Sequence, residues 1–271
     1  MKSKTVETHM LAPNQPVQLD QIPADGRIYY EDRDAAELEF RKLRDELIAL
    51  QRRLYAEGKH KLLVVFQAMD AGGKDGTIRR VLRGVNPQGV RVTSFKVPSK
   101  EELAHDFLWR IHKAVPAKGM IAVFNRSHYE DVLVVRVHDI VPESVWRPRY
   151  VQINNFEQHL FESGTTILKF YLHISKDEQR ERFQDRIDEP DKNWKFSFED
   201  IEKRKYWGDY MRAYEEMLNK TTTSWAPWYV IPANQKWYRN LAVTRTIVSA
   251  LKEQNPQFPI SEKNLDGLII S

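Results

Sequence analysis

The stretch Gln67-Ala68-Met69-Asp70-Ala71-Gly72-Gly73-Lys74-Asp75-Gly76-Thr77 brings glycines, a lysine and two aspartates together in one short segment. Glycines let backbone N–H groups turn toward an anion, a following helix N-terminus adds positive potential, and a lysine supplies a mobile charge for phosphate oxygens. An apolar run, Leu62 to Phe66, precedes the segment, and a helical pattern with Ile78, Val81 and Leu82 follows it. That is the strand, loop and helix setting of a Walker A phosphate loop. Ala71, Gly72, Gly73, Lys74, Asp75, Gly76 and Thr77 are the expected phosphate-binding positions. Two residues depart from the usual loop, which has Gly in place of Ala68 and Ser or Thr in place of Asp75, so the customary metal-binding hydroxyl is missing. Two carboxylates in a loop meant for phosphate make sense when a divalent cation bridges them to the substrate, and Asp70 is the expected metal-binding residue. The plainer alternative is a Gly-rich turn with solvated aspartates.

A second apolar run, Met120 to Phe124, leads into Asn125-Arg126-Ser127-His128-Tyr129-Glu130-Asp131. A Walker B strand would end there on a metal-binding Asp; Asn125 occupies that point. Glu130 and Asp131 follow within a turn or two, in reach of a metal or a nucleotide, and a purely structural loop is the competing reading. Farther along, Arg182 and Arg186 lie four apart on a helix expected to open at Ser175, so both face one side of it. A planar guanidinium donates two hydrogen bonds at once to a phosphate, and Lys192 and Lys195 add charge nearby. The alternative is a solvated helix paired with Glu178, Glu181 and Asp185. Arg79, Arg80 and Arg83 follow the phosphate loop, at least one of them expected to face the anion. Trp194, Phe196, Phe198, Trp207, Tyr210 and Tyr214 could stack a base, but their helical spacing fits core equally, and none is assigned to a nucleotide.

These residues need a scaffold. From Asp32 to Glu57, Leu38, Leu43, Leu47, Leu50 and Leu54 recur at helical spacing, and Gly58 stops the helix. Strands are expected at Leu62 to Phe66, Val90 to Phe95, Met120 to Phe124, Thr166 to His173 and Tyr229 to Ile231. Helices are expected after the phosphate loop, at Lys100 to Lys113, from Ser175, and from Lys236 to Lys252. Near-continuous apolar strands alternating with helices predict an α/β fold with a parallel sheet covered on both faces and ligands at the strands' carboxyl ends. One domain spans residues 1–271 on this reading. It comprises an N-terminal arm over 1–30, a phosphate-loop core over 58–252, a lid region over about 182–210 and a peripheral tail after Pro256.

Composition excludes other classes. At 271 residues, with 41 % hydrophobic and 30 % charged residues, the chain can build a substantial core and is neither a membrane nor a disordered sequence. The polar start Met1 to Thr8 lacks the apolar stretch of a secretory signal, so the cytoplasm is the expected compartment. With no cysteine there is no disulfide, thiolate zinc site or Cys nucleophile, and the eight histidines lack zinc-ligand spacing. A net charge of +4 does not imply a nucleic-acid-binding face, and neither nucleic acid nor membrane is an expected partner.

Asp70 through Thr77, Asn125 through Tyr129, and Arg186-Ile187-Asp188 with Lys192 to Lys195 together resemble the polyphosphate kinase 2 family, in order and spacing from about Tyr30 to Leu251. The resemblance implies a three-layer α/β/α kinase fold with a helical lid over a basic channel for a phosphate chain. It carries the family's Walker A aspartate and lysine onto Asp70 and Lys74, its Walker B position onto Asn125, the adjacent arginine onto Arg126 and the lid arginine onto Arg186. Asp70, Lys74, Arg126 and Arg186 are then the expected catalytic residues. Asp70, Asn125, Arg126 and Glu130 are expected at the nucleotide. Phosphate contacts are expected also from Arg182, Lys192 and Lys195. Many members resemble a D-R-S version where this chain has Asn125; the N-R-S-H-Y-E-D form resembles the branch accepting both AMP and ADP. The resemblance further implies inorganic polyphosphate and adenine nucleotides as substrates (guanine as an alternative), Mg²⁺ as cofactor (Mn²⁺ as an alternative) and a homotetramer. Two other readings stay open: an ATP-dependent kinase of a nucleoside monophosphate or other small molecule, and a nucleotide-binding module without catalysis.

Overall fold

The structure, a computed structural model, describes residues 8–261 and 269–270. Helix α1, Arg33–Glu57, opens on Asp32, whose side chain accepts from Ala35 N, and closes on Gly58 at φ 64°. Only a residue without Cβ turns there at little cost. The strands are β1 (Lys61–Ala68), β2 (Val90–Ser94), β3 (Ile121–Asn125), β4 (Thr165–His173) and β5 (Trp228–Pro232). They pair in parallel in the order β2-β3-β1-β4-β5. Consecutive residues Leu62 to Val65 are all buried, which requires cover on both faces of the sheet, as their unbroken apolar run predicts.

That cover comes from two sets of helices. Helix α2 (Lys74–Val81) and the long C-terminal helix α7 (Lys236–Gln254) pack with α1 on one side; α3 (Arg149–Glu162) and α6 (Trp207–Thr221) pack together on the other. Between them run α4 (Lys176–Asp188) and α5 (Phe198–Lys205), joined by a 3₁₀ segment at Pro190–Lys195 within the expected lid region. The centre of the sheet is β1, and the chain leaves it first toward β3 and β2 and later toward β4 and β5. The carboxyl end of β1 is therefore the switch point at which open α/β sheets bind ligands. Register sets Phe66 opposite Asn125 and Ser94 opposite Asn125, which brings the ends of three strands to one edge.

The structure corrects the sequence reading in two places and locates the N-terminal arm. The helix expected over Lys100 to Lys113 is two single turns, Lys100–Leu103 and Trp109–His112, because the Asp106 carboxylate accepts from Leu108 N and bends the chain into a local turn. Helices α3 and α6 were not anticipated as elements. The arm, in its described part, lies on its own domain: Val230 N donates to His9 O at 2.9 Å and Leu11 N to Trp228 O at 2.8 Å, covering the outer edge of β5. Residues 1–7 of that arm lie outside the described residues, as do 262–268 and 271 of the tail. Among the described residues no helix is long and apolar enough to cross a membrane.

Candidate active site at the carboxyl end of the sheet

After Ala68 the chain turns through Ala71 at φ 60° and Gly73 at φ 98°, and α2 starts at Lys74. A left-handed alanine is unfavourable and persists where the surroundings enforce it. Here Gly72 N donates to Met69 O, and the Arg182 guanidinium donates to Ala71 O at 2.9 Å. Arg126, at φ 62°, is a second left-handed residue, directly after β3, with its N–H on Phe66 O. The two strained positions face each other across the ends of β1 and β3.

Their side chains meet as well. The Arg126 guanidinium donates to Asp70 Oδ1 at 2.9 Å, and Lys74 Nζ donates to Ala68 O at 2.9 Å. Burial alone would push the Asp70 carboxyl up, but Lys74 and Arg126 outweigh it and hold it below its usual range. Lys74 is pulled down by burial and by Arg126, against the opposing pull of Asp70, Glu130 and Asp75. Glu130 is raised by its burial, with Asp70 adding to the rise and Arg126 and Lys74 opposing it. Asn125 donates its amide to Asp75 Oδ1 at 2.5 Å, so the carboxylate of a usual Walker B strand stands here on the loop side and the neutral partner on the strand.

Two cavities open from this point. The larger, of about 600 Å³, runs over the phosphate loop and under α4 and the 3₁₀ segment. Its lining carries ten cationic and four acidic side chains, an anion-binding balance. The smaller, of about 50 Å³, lies between Glu130, Tyr210, Tyr214 and α5. Asp70, Arg126 and Asp200 line both, so the Asp70–Arg126 pair is the partition between them.

Most expected site residues converge here. Asp70, Ala71, Gly72, Gly73, Lys74, Asp75, Gly76, Asn125, Arg126, Arg182, Arg186, Lys192 and Lys195 line the larger cavity, and Glu130 lines the smaller. Thr77 does not reach either: its hydroxyl donates to Gly73 O inside the first turn of α2, where it is fully buried. Arg182 was expected to share a ligand with Arg186, but its guanidinium is engaged with Glu178, Ala71 O, Ala233 O and Asn234 O and braces the loop from behind. Arg186 instead reaches across the lid to Asp200 and Lys195 O, both at 3.2 Å. Of the arginines after the loop, Arg79 lines the larger cavity while Arg80 is bound to Glu37. Tyr210 and Tyr214 line the smaller cavity, and Trp194 and Phe198 are exposed.

Other residues of the site escaped the sequence reading. Lys96, Lys236 and Arg239 line the larger cavity from distant parts of the chain. Beneath the 127–132 segment lies a wholly buried network. Glu157 accepts from Tyr129 Oη at 2.7 Å and from Lys169 Nζ at 2.7 Å, and Lys169 also donates to Thr221 O. Glu157 stays below its usual range because Lys169 outweighs the effect of burial. The signal was a lone lysine inside the apolar run Thr166 to His173.

Comparison with known proteins places the chain as a whole. Residues 30–259 match the family model described as polyphosphate kinase 2. An AMP/ADP-polyphosphate phosphotransferase of Meiothermus ruber is 52 % identical over 98 % of this chain and 100 % of its own length. An ADP-polyphosphate phosphotransferase of Rhodopseudomonas palustris is 47 % identical, covering 96 % of this chain and 93 % of its own. The crystal structure of polyphosphate kinase 2 from Arthrobacter aurescens superposes with a TM-score of 0.93 at 41 % identity, over 97 % of this chain and 94 % of that one. With sheet order, loop geometry and near full-length similarity in accord, the chain belongs to the polyphosphate kinase 2 family.

Proposed function

We propose that the protein transfers the terminal phosphoryl group of inorganic polyphosphate to AMP or ADP, giving ADP or ATP. The observation that carries this reading is the partition: one long cationic cavity and one small cleft meet at Asp70 and Arg126, a donor side and an acceptor side sharing one wall. Polyphosphate occupies the larger cavity with its end at Lys74. The nucleotide's phosphate end approaches from the side of the smaller cleft, past Glu130. Adenine nucleotides are the proposed acceptors, with guanine as an alternative.

In the transfer, a terminal oxygen of the acceptor phosphate forms the new P–O bond as the anhydride P–O bond to the rest of the chain breaks, and the shortened polyphosphate leaves as an anion. Such a loose transition state needs alignment and charge neutralisation above all. Lys74, Arg126 and Arg186 neutralise the equatorial oxygens. The attacking oxygen is already ionised at neutral pH, so no strong general base is needed.

The donor set suits a magnesium ion. Among the described residues no three acidic or histidine side chains form a closed cage, but Asp70 and Asp75 face the phosphate cavity singly. Mg²⁺ is commonly held by one or two carboxylates with substrate phosphates and water completing its shell. Asp70 would hold it, and Mn²⁺ could substitute. When bound, the ion neutralises phosphate charge and orients donor against acceptor. We further propose a cytoplasmic homotetramer with no nucleic-acid or membrane partner.

The test incubates the purified chain with AMP or ADP, polyphosphate and Mg²⁺ and follows ATP. Metal-dependent ATP formation is expected. Turnover with ATP as donor but not with polyphosphate would make the protein an ATP-dependent kinase, and no turnover with either donor would leave a binding module.

A further inference from the structure

Helix α4 holds the phosphate loop at two successive carbonyls. Arg182 donates to Ala71 O at 2.9 Å, and Gln179, 1 % exposed, donates its side-chain amide to Asp70 O at 2.9 Å. Positions 179 and 182 lie three apart, so one face of the helix carries both. The two braces are anchored differently. Arg182 is fixed besides on Glu178 of α4 itself and on Ala233 O and Asn234 O, just past β5. Gln179 Oε1 is held from α5: Arg204 donates to it at 2.9 Å, with the same nitrogen that it places on Lys176 O at 2.7 Å.

Little apolar packing seats α5. All of its residues remain partly or fully exposed, and its ties to α4 are polar. Asp200 and Arg204, four apart on one face, meet Arg186 and Gln179 respectively. An element without buried side chains docks and releases at low cost. Gln179 therefore joins a weakly held helix to the backbone of the very residue whose carboxylate meets Arg126 at 2.9 Å, and Asp70, Gln179 and Arg204 all line the smaller cleft. Glutamine suits this place because its amide donates at one end and accepts at the other, whereas an ionised carboxylate only accepts. Without Arg204, Gln179 Oε1 would be a buried acceptor lacking a partner, a costly state that the amide escapes by turning away and letting go of Asp70 O.

We infer that Gln179 and Arg204 are positioning residues that transmit the docking of α5 to the backbone of Asp70, so that the Asp70 carboxylate is set for phosphoryl transfer when α5 is seated. This rests on the proposed function, which gives Asp70 its work in the transfer.

The experiment measures steady-state ATP formation from ADP and polyphosphate for wild type, Arg204→Met, Arg204→Lys, Gln179→Glu and the neighbouring control Lys205→Met, with Arg204→Met repeated in an Asp70→Asn background. Arg204→Met should lower kcat about tenfold or more, the scale of a misplaced catalytic group, with both KM values and the melting temperature little changed. Arg204→Lys should recover part of kcat, and Lys205→Met should match wild type. Gln179→Glu keeps a partner for Arg204 but cannot donate to Asp70 O at neutral pH, so it should lose kcat while α5 stays docked. In Asp70→Asn the relay has no carboxylate to set, and Arg204→Met should cost little more. Arg204 is only half-buried, so this last comparison stands even where Gln179→Glu does not fold. Wild-type kcat in Arg204→Met, a loss confined to KM, or a loss undiminished in the Asp70→Asn background overturns the inference; the last would mean that α5 acts through Arg186 alone. A wild type without turnover from polyphosphate sinks the proposed function instead.

Discussion

Lys74 and Asp70 are adjacent in charge as well as in space, and each keeps the other in its useful protonation state. Removing either should therefore harm the transition state far more than the fold. Lys74→Ala and Asp70→Asn are expected to lower kcat/KM by about 10²-fold or more, the scale of losing a preorganised electrostatic group, with melting temperature little changed. Near-normal turnover in either variant would reject the assignment. Glu130 gives a pH-dependent counterpart. Its pKa in the folded protein is raised by burial, so the fold disfavours its ionised form relative to the unfolded chain, and at neutral pH it costs stability. That cost appears as pH rises above the unfolded carboxyl value and is complete above the folded one. Glu130→Gln should raise the melting temperature at neutral pH, with the gain fading as pH falls toward about 4, where both states hold the proton. A gain independent of pH would contradict this. The residues legible in the sequence were those whose partners are neighbours in a motif: Asp70 to Gly76 and Asn125-Arg126 declare themselves by what stands next to them. Arg239, Lys96 and Lys236 reach the cavity only through tertiary packing, and no local pattern marks them.

At the scale of elements, the strands and α1 were readable because their burial follows a simple period: β1 is apolar throughout and α1 buries Phe40, Leu47, Leu50 and Leu54. Helix α3 carried a comparable pattern in Tyr150, Ile153, Phe156 and Leu160, obscured by the buried Glu157 in the same stripe. That glutamate is the clue to how α3 is held. It meets Lys169 of β4 with both side chains inaccessible to solvent, so the pair ties a helix to a strand directly below the segment that carries Arg126 and Glu130. Replacing one partner strands the other charge in the core: Glu157→Leu or Lys169→Met alone should cost about 3–5 kcal/mol. The double variant exchanges the pair for apolar contact and should be much more stable than the sum of the two losses. A double-mutant cycle in urea measures this, and additive losses would show that the pair is not a coupled unit.

Across the whole molecule, charge is distributed unevenly. The chain carries a net charge of +4, yet the cavity lining alone has ten cationic side chains against four acidic ones. The remaining surface therefore has no positive excess, and the field is concentrated where a phosphate chain would lie. This separates a polyanion channel from a nucleic-acid-binding face, which would spread its charge over the exterior. It also predicts how each substrate responds to salt. A linear polyanion brings condensed counterions that binding releases, so its affinity falls steeply with ionic strength in proportion to the number of phosphates gripped. With several contacts along the cavity, KM for long-chain polyphosphate should rise by about 10- to 100-fold between about 50 and 200 mM salt, by analogy with single-stranded nucleic acids. A nucleotide held in the small cleft through few phosphate contacts should shift only a few-fold over the same range. Steady-state titrations of each substrate against salt, with the other saturating, measure both slopes. Equal slopes would mean that the cationic lining does not grip the donor as a chain, and the division of labour between the two cavities would be lost.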